Sequence, residues 1–246
     1  MKTLYLFDVD GVLCDRGQKI NDQFKSWFLS WVQDKQFFFI TGSDRSKTIE
    51  QLGVDLVQKC TIGYHCLGNN IWIEDKEVSI NQFLLKPEEL NFLESAVKRS
   101  PYTSKTGNHI EYRKGSINFS VVGKNATLEE RQRYKFYDKI SNERLKIINS
   151  FTKQFPRFDA YLGGDISIDI CLKGANKFQV LTMLPPNDKL YFFGDRCYPN
   201  GIDFPLSQHF TGMTIEKIQQ SSERYRNEYF QINDGYNETW NILKLL

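Results

Sequence analysis

An apolar run, Leu4-Tyr5-Leu6-Phe7, leads straight into Asp8-Val9-Asp10-Gly11, and this junction restricts the fold more than any other stretch of the chain. An unbroken apolar run reads as a strand buried on both faces, as in a parallel sheet covered by helices. In an open α/β sheet, chemistry collects where strands end at their carboxyl edge. Residues two apart on extended backbone project the same way. Asp8 and Asp10 are therefore expected to face one small volume, with Gly11 turning the chain sharply away. Two carboxylates so close repel each other, unless a divalent cation neutralises them or one holds a proton. Either arrangement suits a nucleophile paired with an acid/base.

The rest of the N-terminal third keeps an α/β rhythm. Asn21 is a natural N-cap for a helix whose Phe24, Trp27, Phe28 and Trp31 recur on one face and read as core packing. Phe37–Ile40 is a second buried strand, ending in Thr41-Gly42-Ser43-Asp44 and followed by a short helix over Arg45–Leu52. Ile71–Ile73 and Glu77–Ile80 form a hairpin around Glu74-Asp75-Lys76. Near Asn81 the pattern changes. Pro87 opens a helix, and Ile110–Arg113 and Ile117–Val121 alternate around Lys114-Gly115. Helices over Leu128–Tyr137 and Asn142–Phe155 and strands over Phe158–Leu162 and Ile166–Leu172 complete an α+β module with antiparallel strands. From Gly174 the α/β rhythm returns with a helix over Ala175–Leu184, a strand Leu190–Phe193 ending in Gly194-Asp195, and a last helix near Asn237–Leu246. The expected division is a core from residues 1–80 and 174–246, and an inserted module from 81–173.

With 246 residues, 40% hydrophobic and 14% aromatic, the chain can fill a sizeable core. A net charge of +2 gives no reason to expect nucleic acid or an anionic membrane as partner. The charge is uneven, however. Residues 81–175 carry sixteen Lys/Arg against eleven Asp/Glu, leaving the remainder sixteen against nineteen. A basic middle suits a module that grips an anionic small molecule. Five cysteines without a CxxC pattern read as reduced thiols of a cytoplasmic protein. No signal peptide or membrane span is expected.

If the three apolar strands are parallel neighbours, four features meet at one sheet edge: Asp8/Asp10, Thr41/Ser43, Lys177 and Asp195. Phosphoryl transfer needs an attacking oxygen, neutralisation of the phosphate charge and in-line geometry. A carboxylate can attack phosphorus and form an acyl phosphate. A magnesium ion held there removes the repulsion between two anions, with Asp195 completing its site. The Thr41 and Ser43 hydroxyls and the amides at Gly42–Asp44 can hold phosphate oxygens, and Lys177 supplies a compact positive charge.

The series LFDVDGVL, TGSDRSK, IEYRKGSINFSVVGK, EER, GGDISIDI, GANK and YFFGDR resembles, in order and spacing, the eukaryotic-type phosphomannomutase family of the haloacid dehalogenase superfamily. The resemblance covers nearly the whole chain. It implies a Rossmann-like α/β core with a parallel sheet and an inserted α+β cap of the C2b type. It implies Asp8 as the nucleophile and Asp10 as the general acid/base. Magnesium would be held by Asp8, the Asp10 carbonyl and Asp195, with Asp203 as a further metal-loop residue. Ser43 and Lys177 would hold the transferring phosphate, and Thr41 lies beside them. In the cap, Arg113, Lys124 and Arg131 would grip the distal phosphate, and Ser167 and Asp169 would contact the sugar. The implied reaction interconverts mannose 6-phosphate and mannose 1-phosphate through an aspartyl phosphate, with a hexose 1,6-bisphosphate activator, in a homodimer joined through the cap.

Three departures from the family pattern stand out. Gly17 replaces an arginine, with Arg16 one residue early; Lys124 replaces an arginine; and Ile202 replaces an asparagine. Two other readings remain open at this point: a sugar-phosphate phosphatase on the same scaffold, and a phosphosugar-binding protein without turnover.

Overall fold

A computed structural model describes residues 2–184, 188–220 and 227–246. The chain lays down β1 (Thr3–Phe7), α1 (Asp22–Trp31), β2 (Gln36–Ile40), α2 (Arg45–Leu52), α3 (Val54–Lys59), β3 (Ile62–His65) and the hairpin β4 (Asn70–Ile73) and β5 (Lys76–Ile80). It then builds α4 (Pro87–Arg99), β6 (Ile110–Arg113), β7 (Ser116–Phe119), α5 (Leu128–Ser141), α6 (Glu143–Gln154), β8 (Phe158–Leu162) and β9 (Ile168–Leu172). It closes with β10 (Lys189–Gly194), α7 (Phe204–Ser207), β11 (Thr211–Met213), α8 (Ile215–Gln220), β12 (Asn227–Gln231) and α9 (Gly235–Leu243). Among the described residues these strands form two sheets. The larger runs β11-β12-β10-β1-β2-β3-β4-β5, and the smaller runs β6-β7-β9-β8. The α/β architecture with an inserted antiparallel module is therefore as expected.

The register of the larger sheet follows from its apolar strands. β1 lies parallel between β10 and β2, with Phe7 level with both Phe193 and Phe39. Because side chains alternate across a strand, Tyr5, Phe7, Phe37, Phe39, Tyr191 and Phe193 share one face, and Leu4, Leu6, Phe38, Ile40, Leu190 and Phe192 share the other. Both faces are covered, which is why these strands carry no polar alternation. On the first face Phe7 stacks on Phe193 at 4.7 Å and meets Phe28 of α1 edge-on at 5.3 Å. Asn21 caps α1 by accepting from the amides of Gln23 and Phe24. Each such fully buried ring contributes roughly 1.5–3 kcal/mol. The smaller sheet turns its apolar face to its own helices: Ile117, Phe119, Ile168 and Ile170 pack against Phe151 and Tyr134. The intervening Asn118 and Asp169 point the other way, toward the edge of the larger sheet.

Two elements differ from expectation. The segment expected as a helix over Ala175–Leu184 forms a 3₁₀ stretch, Lys177–Met183, capped by the Asn176 side chain on the Phe178 amide. It ends where Leu184 is extended ahead of Pro185-Pro186, since a residue before proline is disfavoured in the α region. The first strand, expected to run to Val9, stops at Phe7, with consequences for Asp8 and Asp10. β3 and β12 lack an apolar run (Ile62-Gly63-Tyr64-His65, Asn227–Gln231), and only their parallel pairing with β2 and β10 reveals them.

Candidate active site

With β10, β1 and β2 in register, their carboxyl ends deliver Asp195, Asp8 and Thr41 to one edge. The Asp8 amide continues the ladder by donating to the Phe193 carbonyl at 2.9 Å, and the chain then turns at Gly11 with φ +81°. Glycine is required there for space as well as for φ, since a Cβ would lie 2.5 Å from Asp195 Oδ2. Asp8 is buried. Its Oδ1 accepts from the Val9 amide at 2.8 Å, and its Oδ2 lies 3.0 Å from Lys177 Nζ. The same ammonium donates to Asp203 Oδ1 at 2.6 Å, and Asp203 Oδ2 accepts from the amides of Asp195 and Arg196 at 3.1 and 3.0 Å. Asp203 thus fixes the loop that carries Asp195. Oxygens of Asp8, Asp195 and Asp203 lie within 4.8 Å of one another.

Burial and mutual repulsion dominate the electrostatics of this trio. Burial pushes the Asp8 carboxyl well above the ordinary range; Lys177 opposes this, and Asp203 and Asp195 add to it. Burial and Asp203 likewise raise Asp195, against the pull of Arg16 and Arg196. Burial works to neutralise Lys177, but Asp203 and Asp8 outweigh it and hold the ammonium. Lys177 is fully buried, which excludes the reading of a solvated surface lysine.

Asp10 is directed elsewhere. Its Oδ1 accepts from the Gly17 amide at 2.7 Å and Gln51 Nε2 at 2.8 Å; its Oδ2 lies 3.4 Å from both Ser43 Oγ and Lys47 Nζ. Alternation along a strand was the reason to expect Asp8 and Asp10 to point together, and it does not apply because β1 has already ended at Phe7. Both still line one cavity. Burial tends to raise the Asp10 pKa, but Lys47, the Gly17 amide and Gln51 outweigh it and hold it below the usual carboxylate range. Lys47 and Gln51 were not singled out from the sequence, although a signal exists. Lys47 and Gln51, four apart, lie on one stripe of α2, and Ser43 stands four residues before Lys47, just outside the helix. Asp44, not Ser43, caps α2 by accepting from the Lys47 amide at 2.9 Å, which leaves Ser43 to face the cavity.

The opposite wall comes from the smaller sheet. Arg113, buried, donates to the Gly42 carbonyl at 2.8 Å, tying the two sheets together, and contacts Glu111 at 3.2 Å and Asp169 at 3.5 Å. Asn118 Nδ2 donates to Asp169 Oδ1 at 2.6 Å. Lys124 Nζ lies 3.6 Å from Glu111. Burial, then Arg113, pushes this amine down to about 8, against Glu111 and Asp169. The Arg131 guanidinium is held by the carbonyls of Ala126 and Lys124 at 3.0 and 2.8 Å. Arg16 reaches across: its Nε donates to Asp195 Oδ2 at 2.8 Å, its Nη2 reaches the same oxygen, and its Nη1 lies 3.3 Å from Asp165. Ile202 packs with Leu67 and Cys171 in a small apolar cluster.

These walls enclose a cavity of about 830 Å³. Asp8, Asp10, Thr41, Ser43 and Asp195 line one side, and Arg113, Lys124, Arg131, Ser167 and Asp169 the other. Lys177 and Asp203 stand behind the wall, in contact with Asp8 and with the backbone of Asp195. The arrangement places a buried carboxylate that can attack phosphorus at one end and three cations at the other. Asp10, its carboxyl held below the usual range, lines the same cavity.

Comparison with known proteins agrees with this chemistry. The family model described as eukaryotic phosphomannomutase matches residues 26–229. A phosphomannomutase of Saccharomyces cerevisiae is 29% identical over 215 residues, covering 83% of this chain and 85% of that protein. One of Arabidopsis thaliana is 30% identical over 210 residues, covering 82% and 85%. Among solved structures, the C-terminal domain of Candida albicans trehalose-6-phosphate phosphatase superposes with a TM-score of 0.62 at 12% identity, over 99% of this chain and 91% of that one. An IMP-bound Plasmodium falciparum IMP-nucleotidase superposes with a TM-score of 0.61 at 15% identity, over 99% and 68%. At such identities the two structures speak for the fold alone. The sequence matches extend through both sheets, and on that ground the chain belongs to the eukaryotic phosphomannomutase family.

Proposed function

We propose that the protein interconverts mannose 6-phosphate and mannose 1-phosphate through a phosphorylated Asp8 and a hexose 1,6-bisphosphate. The observation that carries this reading is a single cavity with an attacking carboxylate at one end and Arg113, Lys124 and Arg131 at the other. A phosphatase needs to hold only the phosphate it removes. A mutase must also hold the phosphate at the far end of the sugar, release the bisphosphate and rebind it reversed, and cations opposite Asp8 are suited to that grip.

Glucose or mannose 1,6-bisphosphate would act as activator by phosphorylating Asp8. An Asp8 oxygen attacks phosphorus, the bond from phosphorus to the sugar oxygen breaks, and that oxygen takes a proton from Asp10. In the return step a sugar hydroxyl attacks the phosphorus of the aspartyl phosphate while Asp10 accepts its proton and the Asp8 carboxylate leaves. Asp10 must therefore gain a proton as substrate binds. The approach of phosphate charge works in that direction, by raising its pKa. Ser43 and Thr41 hold the transferring oxygens, Lys177 keeps Asp8 in place, and Ser167 and Asp169 contact the sugar. The residues present fit magnesium: hard carboxylate oxygens converge, and burial and mutual repulsion hold Asp8 and Asp195 above their ordinary range, which a divalent cation would relieve. Asp8, Asp195 and the Asp10 carbonyl would hold the ion, with Asp203 at the loop behind them, and it would neutralise charge between nucleophile and phosphate.

We place the catalytic core at residues 1–80 and 174–246 and the cap at 81–173, each with its own apolar core. A homodimer through the cap would cover Phe136 and Ile140 of α5, which are 68% and 71% exposed. A cytoplasmic setting suits the five buried thiols. Among the described residues no helix is long and apolar enough to cross a membrane.

The test is incubation with magnesium, mannose 1-phosphate and a trace of hexose 1,6-bisphosphate. Mannose 6-phosphate is the expected product. Free phosphate in excess of isomer would favour the phosphatase, and no turnover of any hexose phosphate would leave a phosphosugar-binding protein.

Lys124 makes a further expectation specific to this chain. Its ammonium form grips phosphate, and the amine in the free protein is pushed down to about 8. KM should therefore rise as pH climbs past that value, by up to about tenfold per pH unit, with kcat less affected. Lys124→Arg should flatten the rise. A KM that stays level through this range in the unaltered protein would remove Lys124 from the phosphate grip.

A further inference from the structure

We infer that Arg16 is a built-in competitor for the cation position: its guanidinium holds Asp195 as a counter-ion and sets how tightly a divalent cation binds there. The inference rests on the reading of Asp195 as a metal-holding residue.

Each acid of the trio already has a protein cation on it. Lys177 serves Asp8 and Asp203, and Arg16 serves Asp195. The two cations differ in one respect. Lys177 is fully buried and held from both sides, so it cannot withdraw. The Arg16 side chain is 34% exposed and lines the cavity, and Gly17 beside it has open space around it. Both Nε and Nη2 of Arg16 address a single oxygen, Asp195 Oδ2. That oxygen points at the turn: it is the atom a Cβ on Gly11 would strike. Nε and Nη2 together take up the lone pairs of Oδ2, so a magnesium ion that coordinates through this oxygen must displace Arg16. Arg196, with Nε 4.0 Å from the same oxygen, remains in either case.

Displacement does not strand Arg16, because its Nη1 already lies 3.3 Å from Asp165, on the β8–β9 connection. Asp165 also meets Lys135 and Arg196, so it stays fully paired throughout. Cation binding then trades one charge-assisted pair for metal coordination and frees two guanidinium donors into the cavity, where the substrate is anionic. An arginine one residue later in the chain would sit where Gly17 now gives its amide to Asp10.

The experiment is calorimetric titration of magnesium into the substrate-free protein and three variants. Arg16→Gln is expected to bind magnesium roughly tenfold tighter, the effect of removing one charge-assisted competitor. Arg16→Lys, which keeps charge but loses the fork, should fall between. Asp195→Asn should lose the ion. If Arg16→Gln binds no tighter than the unaltered protein while Asp195→Asn loses the ion, the competition is refuted and the metal reading stands. If Asp195→Asn binds magnesium as well as the unaltered protein, the metal reading fails and the inference falls with it. An independent measurement needs no charge-deleting variant. The ¹⁵Nε resonance of Arg16, identified by its loss in Arg16→Lys, is expected to shift as magnesium saturates the unaltered protein. A resonance that stays in place at saturation would overturn the inference.

Discussion

Asp8→Asn is expected to abolish phosphoenzyme formation and lower kcat for isomerisation by at least about 10⁴-fold, more than about 5 kcal/mol of barrier. The substitution keeps shape: an Asn oxygen still accepts from the Val9 amide, as Asp8 Oδ1 does at 2.8 Å. What it removes is the oxygen that can displace a sugar from phosphorus. The fold should not suffer. Asp8 is buried with its carboxyl pushed up, and Lys177 keeps Asp203 at 2.6 Å, so the melting temperature is expected to hold or rise. Radiolabel transfer from hexose bisphosphate, measured beside thermal unfolding, checks both halves. Undiminished label in a folded Asp8→Asn protein would move the nucleophile to another residue.

Lys177→Met should do the opposite and act first on stability. It leaves Asp8 and Asp203 buried without their shared counter-charge. Removing one partner of a buried ion pair costs about 3–5 kcal/mol, roughly 6–20 °C in the midpoint of thermal unfolding for a chain of this size. The pH dependence has a definite sign. Burial already raises Asp8, and the variant loses the lysine that opposes this. The folded state then takes up a proton more readily than the unfolded state, so stability increases as pH falls toward the raised pKa. The deficit of Lys177→Met should therefore narrow in mildly acidic buffer and widen toward neutrality. A variant as stable as the parent at neutral pH would mean that the three groups are not coupled as their geometry implies.

The two substitutions also mark where reading the chain succeeds and where it stops. Asp8 is legible because the signal is local: an apolar strand, two acids and a glycine within eight residues. The helix capped at Asn21, the Glu74–Lys76 hairpin and the strands Phe158–Leu162 and Leu190–Phe193 are legible for the same reason. Propensity, alternation and turn chemistry act within a few residues, so the chain declares them without help. Lys177 is different. On a polar stretch after Gly174 nothing local separates a solvated lysine from one with no exposed surface, and only its burial against Asp8 and Asp203 settles it.

The same division runs through the site. The order of most elements, and the arrival of Asp8, Ser43 and Asp195 at one sheet edge, are legible in the sequence, since each motif sits at the end of a strand it also helps define. Tertiary structure decided which carboxylate each cation serves. It put Asp10 with Gln51 and Lys47 instead of beside Asp8, gave the helix cap to Asp44, and brought Arg16 onto Asp195 across 179 residues. The physical reason is range. A backbone preference is set by its near neighbours, whereas a buried charge is assigned a partner by whichever distant segment arrives within about 3 Å once water has been excluded.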